Sequence, residues 1–232
     1  TQVAALISNV QDLATFAPRD RQLSSRRGRS HTADGLINPT EPCDYIIVTG
    51  GAFLAAFEPL AEQRRQQGLA VGVYAIEDIL PLYDGQRPDG GNDDATRLRQ
   101  FLQNAHDVWQ ASDHPLRYVL LAGDAEIMPA REVYVRAGIY ETSDANPLLC
   151  DGYYAGLDGT WDTDCDGLYG EGAVSGGGTG TAGEEADLLV ELIVGRVPVS
   201  EQSGDRPDLQ ARQWVAKQLA YESDPEAEYL SR

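Results

Sequence analysis

Cysteine is scarce: three in 232 residues, at Cys43, Cys150 and Cys165. That is too few for a disulfide-stapled miniature fold, and no C-x-x-C or His-flanked spacing occurs, so no zinc site is encoded. Basic residues are scarce as well, 18 Lys and Arg against 37 Asp and Glu, for a formal net charge of −19. A surface of that sign repels phosphate backbones and anionic lipid. Nucleic acid and membrane are therefore not expected partners, and cations or basic substrates are the more natural company; a solubility device or an adaptation to salt would leave the same composition. No apolar run approaches the roughly 18 residues of a membrane span, and no signal peptide heads the chain. The start at Thr1 without Met is what a processed product would show. Neither G-x-x-x-x-G-K-[ST] nor G-x-G-x-x-G occurs, which argues against a nucleotide cradle. Of the three histidines, His31 lies near the N-terminus, and His106 and His114 read as surface or helix-end residues with no Ser or Cys nucleophile beside them.

What is present is the pattern of an α/β unit. Hydrophobic residues make up 42% of the chain, enough for one sizeable core. Tyr45 to Thr49 is a short β-branched run ending in Gly50-Gly51, as expected of a strand buried on both faces. Phe53, Leu54, Phe57, Leu60 and Ala61 then recur at helical spacing, with a stop at Gly68, and Ala70 to Ile76 completes a βαβ unit. A helical turn over Glu77 to Tyr83 and a Gly/Asp/Pro loop follow. The next helix is expected over Thr96 to Trp109, with Leu98, Phe101, Leu102, Ala105 and Trp109 on one face. Arg117 to Ala122 predicts a third strand, and Arg131 to Tyr140 an exposed strand that could be half of a hairpin. Gly172 to Gly183 reads as a mobile Gly/Thr-rich linker, Leu188 to Val194 as a last buried strand, and Pro207 to Glu222 as an amphipathic helix. Three or four parallel strands alternating with helices make an α/β sandwich, in which function gathers beyond the C-terminal ends of the strands. Those ends carry Thr49-Gly50-Gly51, Glu77-Asp78, Gly123-Asp124 and Gly195-Arg196.

Ahead of this unit, residues 1–42 form an expected exposed arm: an amphipathic stretch from Val3 to Leu13, then the basic, Ser-rich R-D-R-Q-L-S-S-R-R-G-R-S. The basic run is short and lacks aromatics, so docking on the acidic body suits it better than binding nucleic acid. Residues 43–232 form the folded part, with an insertion over 151–183.

That insertion carries D-G-Y-Y-A-G-L-D-G-T-W-D-T-D-C-D-G-L-Y-G-E, with Asp162, Asp164 and Asp166 at alternate positions ahead of Gly167. Hard cations take oxygen ligands, and a D-x-D-x-D-G run wraps carboxylates about one point while the glycine turns the chain. The candidate ligands for Ca2+ are Asp158, Asp162, Asp164, Asp166, the carbonyl of Leu168 and Glu171. An EF-hand loop would place its bidentate Glu at Ala173, so this loop is shorter; an acidic, solvated turn is the plainer alternative. Cys150 and Cys165 flank the loop and could bridge in an oxidising compartment, or all three thiols could be inert. A calcium loop favours export, where free calcium is plentiful.

In order along the chain, D-Y-I-I-V-T-G-G-A-F, Q-Q-G-L-A-V, I-E-D-I, R-Y-V-L-L-A-G-D-A-E-I-M-P, Ser143-Asp144, Tyr153-Tyr154, Leu157-Asp158-Gly159, V-G-R-V-P-V and Tyr221-Glu222 resemble the gingipain-type cysteine proteases, the C25 peptidase family. The resemblance runs from Asp44 to Glu222. It implies a caspase-like three-layer α/β/α sandwich with a mostly parallel sheet, of which this chain is the N-terminal half-domain. In the family a G-H-G histidine and a cysteine nucleophile lie on the second half; neither is found here, and no catalytic residue is carried over. The resemblance implies the N-terminal chain of a secreted cysteine endopeptidase, cut after Arg, partnered by the C-terminal catalytic chain of the same precursor and acting on peptide or protein. A shortened or degenerate module without activity, or a secreted calcium-binding scaffold or adhesion module on the same fold, is the alternative.

Overall fold

The computed structural model describes residues 41–134, 147–170, 186–200 and 207–223. Strand β1 (Tyr45–Thr49) alternates its side chains between two cores, Ile46 and Val48 entering one and Ile47 the other, so its uninterrupted apolar run is buried on both faces. A 3-10 turn over Gly51–Phe53 leads into helix α1 (Leu54–Gln66), which lays Ala56, Phe57, Leu60 and Ala61 against the sheet. The helix stops at Gly68, whose φ of +95° closes the last turn through bonds from Gly68 N to the Arg65 carbonyl and from Leu69 N to the Arg64 carbonyl. A Cβ there would meet nothing within 4 Å, so the backbone conformation and not crowding asks for glycine.

Strand β2 (Val71–Ala75) returns parallel to β1, and the short helix α2 (Ile76–Ile79) and a 3-10 turn over Leu80–Leu82 follow directly. Helix α3 (Asp94–Trp109) starts where Asp93 accepts a 2.8 Å bond from Thr96 N, and buries the stripe Leu98, Phe101, Leu102, Ala105 and Trp109. Strand β3 (Tyr118–Ala122) pairs in parallel with β1. Strands β4 (Arg131–Tyr134) and β5 (Pro147–Cys150) form a separate antiparallel pair, so the expected hairpin half finds its partner. Its outward-facing reading does not hold: Arg131 and Val133 are buried. The remainder of that expected strand, with Val135 and Ile139, lies outside the described residues. Helix α4 (Gly152–Ala155), strand β6 (Ile193–Val197) and helix α5 (Pro207–Ser223) complete the elements.

The main sheet has the order β2-β1-β3-β6 and is parallel throughout. Helices α1 and α5 cover one face, around Ile47, Phe57, Leu120 and Val215; α3 and the segment around Tyr153 and Trp161 cover the other, around Val48, Val119 and Leu121. This is the three-layer α/β/α sandwich with a mostly parallel sheet. The last strand departs from expectation. It begins at Ile193, not Leu188, and Leu188, Leu189 and Val190 stand exposed at 82%, 83% and 56%. As the edge strand of the sheet among the described residues, β6 also leaves Ile193 63% exposed. Apolar composition announces burial, but the pairing register with β3 decides which residues form the strand.

Candidate metal loop and its supports

Asp162, Asp164 and Asp166 bring carboxylate oxygens within 4.8 Å of one another. Asp162 is the anchor, 1% exposed, with one oxygen accepting from Asp166 N at 3.1 Å and the other from Gly167 N at 3.2 Å. Asp164 accepts from Asp166 N, and Asp166 accepts from Leu168 N at 2.8 Å, so successive carboxylates curl the backbone inward. Gly167 sits at φ +89°, and Gly170 N closes the loop onto the Trp161 carbonyl at 2.7 Å. Asp158 does not join this trio. It lies with Asp187 and Glu191, whose carboxylate oxygens also come within 4.8 Å. Glu171 lies outside the described residues, as do Ser143-Asp144 and residues 1–40.

Two buried arginines hold the platform for this segment. Arg99 donates to the carbonyls of Tyr153, Gly156, Asp158 and Gly159, fixing the turn that leads into the loop. Arg131 forks onto Asp93 with two 2.8 Å bonds and stacks between aromatic rings, 3.9 Å from the Tyr169 centroid and 4.7 Å from that of Tyr153. Trp161 and Tyr169 pack edge-on against Tyr153. Burial pushes the Tyr169 hydroxyl up to about 12. Sequence reasoning missed these arginines. The available signal was Arg99 itself, a charge set inside the apolar stripe of α3 beside Leu98 and Leu102.

At the C-terminal ends of the strands, Arg196 performs the corresponding task. Its guanidinium pairs with both Asp151 oxygens at 2.7 Å and donates to the carbonyls of Gly123, Asp124, Met128 and Pro129. Glu77 accepts from Gly51 N, and Asp124 caps its own turn through Glu126 N. A Cβ on Gly123 would stand 2.9 Å from the Ile127 side chain and one on Gly50 3.1 Å, so close packing accounts for these glycines. His114 bonds Asp44 at 2.8 Å beside the start of β1, at the opposite end of the sheet. His106 faces Asp107 on α3. All three cysteines are free thiols: Cys43 buried with its thiol pushed up to about 12 by burial, Cys150 half-buried and Cys165 exposed. No helix among the described residues is long and apolar enough to cross a membrane.

Comparison with known proteins places this architecture. A structure of dimeric latent PorU from Porphyromonas gingivalis is similar at TM-score 0.53 and 22% identity, over 82% of this chain and 17% of that one. The Arg specific cysteine proteinase gingipain R (RGPB) gives TM-score 0.45 and 18% identity, over 80% and 30%. The complex of the Porphyromonas gingivalis RgpB pro- and mature domains gives 0.44 and 18%, over 76% and 28%. The chain thus spans less than a third of each of these structures. No curated protein matches. At 22% identity the likeness to PorU speaks to fold alone, but the model of peptidase family C25 matches residues 38–232. The chain belongs to peptidase family C25.

Proposed function

We propose that this chain is the sheet-building N-terminal half of the catalytic domain of a secreted, gingipain-like cysteine endopeptidase. In this reading the precursor is cut into two chains, and a second polypeptide carries the Cys/His dyad. The observation that carries it is the β6 edge. Among the described residues this parallel strand is paired on one side only, to β3, with Ile193 63% exposed, whereas parallel sheets are normally covered and continued. A parallel strand docked there would end next to Val197 of β6, at the same end of the sheet as Gly123-Asp124 and Gly50-Gly51, where parallel sheets place their chemistry. On that polypeptide a thiolate would attack the scissile carbonyl, the histidine would serve as acid and base, and backbone amides would hold the oxyanion. The substrate class is peptide or protein, and cleavage after arginine is the first specificity to assay, given the Arg specific gingipain R.

The test is mass spectrometry of the native assembly joined to Arg- and Lys-ended fluorogenic peptides. A companion chain bearing G-H-G and a Cys, with cleavage abolished by thiol alkylation, is the expected result. A stable 25.2 kDa monomer with no companion and no thiol-dependent cleavage sinks the reading and leaves a calcium-binding scaffold in its place.

Calcium belongs to the same reading as a structural clamp. Ligands at about 2.3–2.6 Å on opposite sides of a calcium ion stand up to about 5 Å apart. The 4.8 Å grouping of Asp162, Asp164 and Asp166 fits that span. Three carboxylates so close also repel until a cation joins them. Asp158 belongs to the neighbouring group, so it stands outside this clamp.

A further inference from the structure

Three consecutive apolar side chains stand in water just ahead of β6, namely Leu188, Leu189 and Val190. Beside them Asp158, Asp187 and Glu191 gather their carboxylates. Contiguous exposed apolar residues mark contact surfaces, and clustered carboxylates ask for a cation. Arg99 interacts electrostatically with Asp187 but spends its donors on four carbonyls, and one Glu191 oxygen accepts from Leu157 N at 2.6 Å. Asp187 gives one oxygen to Leu189 N, and its other oxygen is buried without a hydrogen-bond partner.

We propose that the occupant of this surface is the chain's own segment 1–40, with Val3 to Leu13 laid on Leu188 to Val190 and the arginines of 19–29 at the carboxylates of Asp158, Asp187 and Glu191. Charge complementarity selects it. Residues 1–40 hold five arginines and three aspartates, while the remaining chain holds thirteen basic and thirty-four acidic residues. Geometry permits it. Tyr45 of β1 is in register with Tyr118 of β3, and Tyr118 with Ile193 of β6. The chain therefore enters the fold at the end of the sheet where the apolar strip lies, two strand spacings or about 10 Å away. At up to ~3.3 Å per residue, forty residues reach it many times over. A metal ion at the carboxylates would leave the leucines uncovered, and a second copy would bring a second net charge of −19 against them.

This inference goes beyond the peptidase reading and stands or falls without it, because its test reads contacts within one chain and no activity. p-Benzoylphenylalanine is placed at position 189 of the full chain, irradiated, and its cross-links are mapped. The expected result is intramolecular linkage to residues 1–40, lowered about fivefold or more by R26E/R27E/R29E and by about 0.5 M salt. Linkage only between two copies, or to no residue of 1–40, overturns the proposal. A second measurement uses unlabelled chain. Tryptic cleavage after Arg26, Arg27 and Arg29 should run about tenfold slower than in a free peptide of residues 1–40, and L188S/L189S should restore the faster rate. Equal rates in chain and peptide overturn it as well.

Discussion

Arg131 grips Asp93 through two parallel 2.8 Å bonds, and the same carboxylate caps helix α3 through Thr96 N. One ion pair thus joins the β4–β5 pair to the start of a core helix. Arg131 is buried and stacked on Tyr153 and Tyr169, so removing its charge strands Asp93 and empties the space between two rings. We expect Arg131→Met to lower unfolding free energy by about 3 kcal/mol. Urea denaturation measures this, and a change under about 1 kcal/mol would mean that the pair is worth no more than a surface contact.

The pair also predicts an acid limb. Burial would raise the Asp93 carboxyl, but bonds from Arg131 and Thr96 outweigh it and hold it below its ordinary value. The bond from Arg64 lowers Glu222 in the same way. An acid depressed by folding contributes stability that is complete above its unfolded pKa, near ~4, and is lost as pH falls through the folded one. Melting temperature should therefore hold from neutral pH to about 5 and drop below about 4. D93N should flatten part of that drop; parallel curves for wild type and D93N would remove Asp93 as a cause.

Calcium removal should act through the trio. A chelator should lower stability by about 2.7 kcal/mol where the ion had been at a hundredfold its Kd. Asp162→Asn, which alters the buried anchor, should abolish the shift, whereas Asp158→Asn should leave most of it. Thermal scans with and without chelator check both. Identical scans for the wild type would remove calcium from the account.

Thiol chemistry should rank by exposure. Under native conditions near pH 8, iodoacetamide should modify Cys165 first and leave Cys43 untouched, because burial holds the Cys43 thiol protonated up to about 12. Tryptic mapping reads the order. Early modification of Cys43 would mean that the β1 core opens readily.

Arg196 should not tolerate lysine. A single ammonium cannot reproduce a fork on Asp151 together with bonds to Gly123, Met128 and Pro129. R196K should cost about 2 kcal/mol and speed hydrogen exchange in residues 123–129. Unchanged exchange there would show that other contacts hold the strand ends.

Local pattern made much of the fold legible. The β1 run and the α3 stripe encode their own burial, and the D-x-D-x-D-G spacing encodes its own curl, because neighbours within a few residues dictate each. What failed was what depends on distant partners. Leu188 to Val194 looks like a strand by composition, yet β3 sets the register five residues later. Arg131 belongs on an exposed strand by its charge, yet Asp93 and two tyrosines, far away in sequence, draw it inside. Asp158 stands four residues before Asp162 but keeps company with Asp187 and Glu191, which only the folded path of the insertion brings near.

The bond from Arg196 to the Gly123 carbonyl spans 73 residues of chain. Between those points lie the β4–β5 pair, the aromatic platform and the acidic loop, all of which must be looped out before β6 can add to β3. Closing so long a segment is entropically slow, so β6 should be the last strand to join, and β3 should spend part of the folding time as a bare edge open to wrong partners. Because closure cost grows only with the logarithm of loop length, tightening the few residues from Asp162 to Asp166 would barely change it, so the delay is set by the whole insertion and not by its acidic turn.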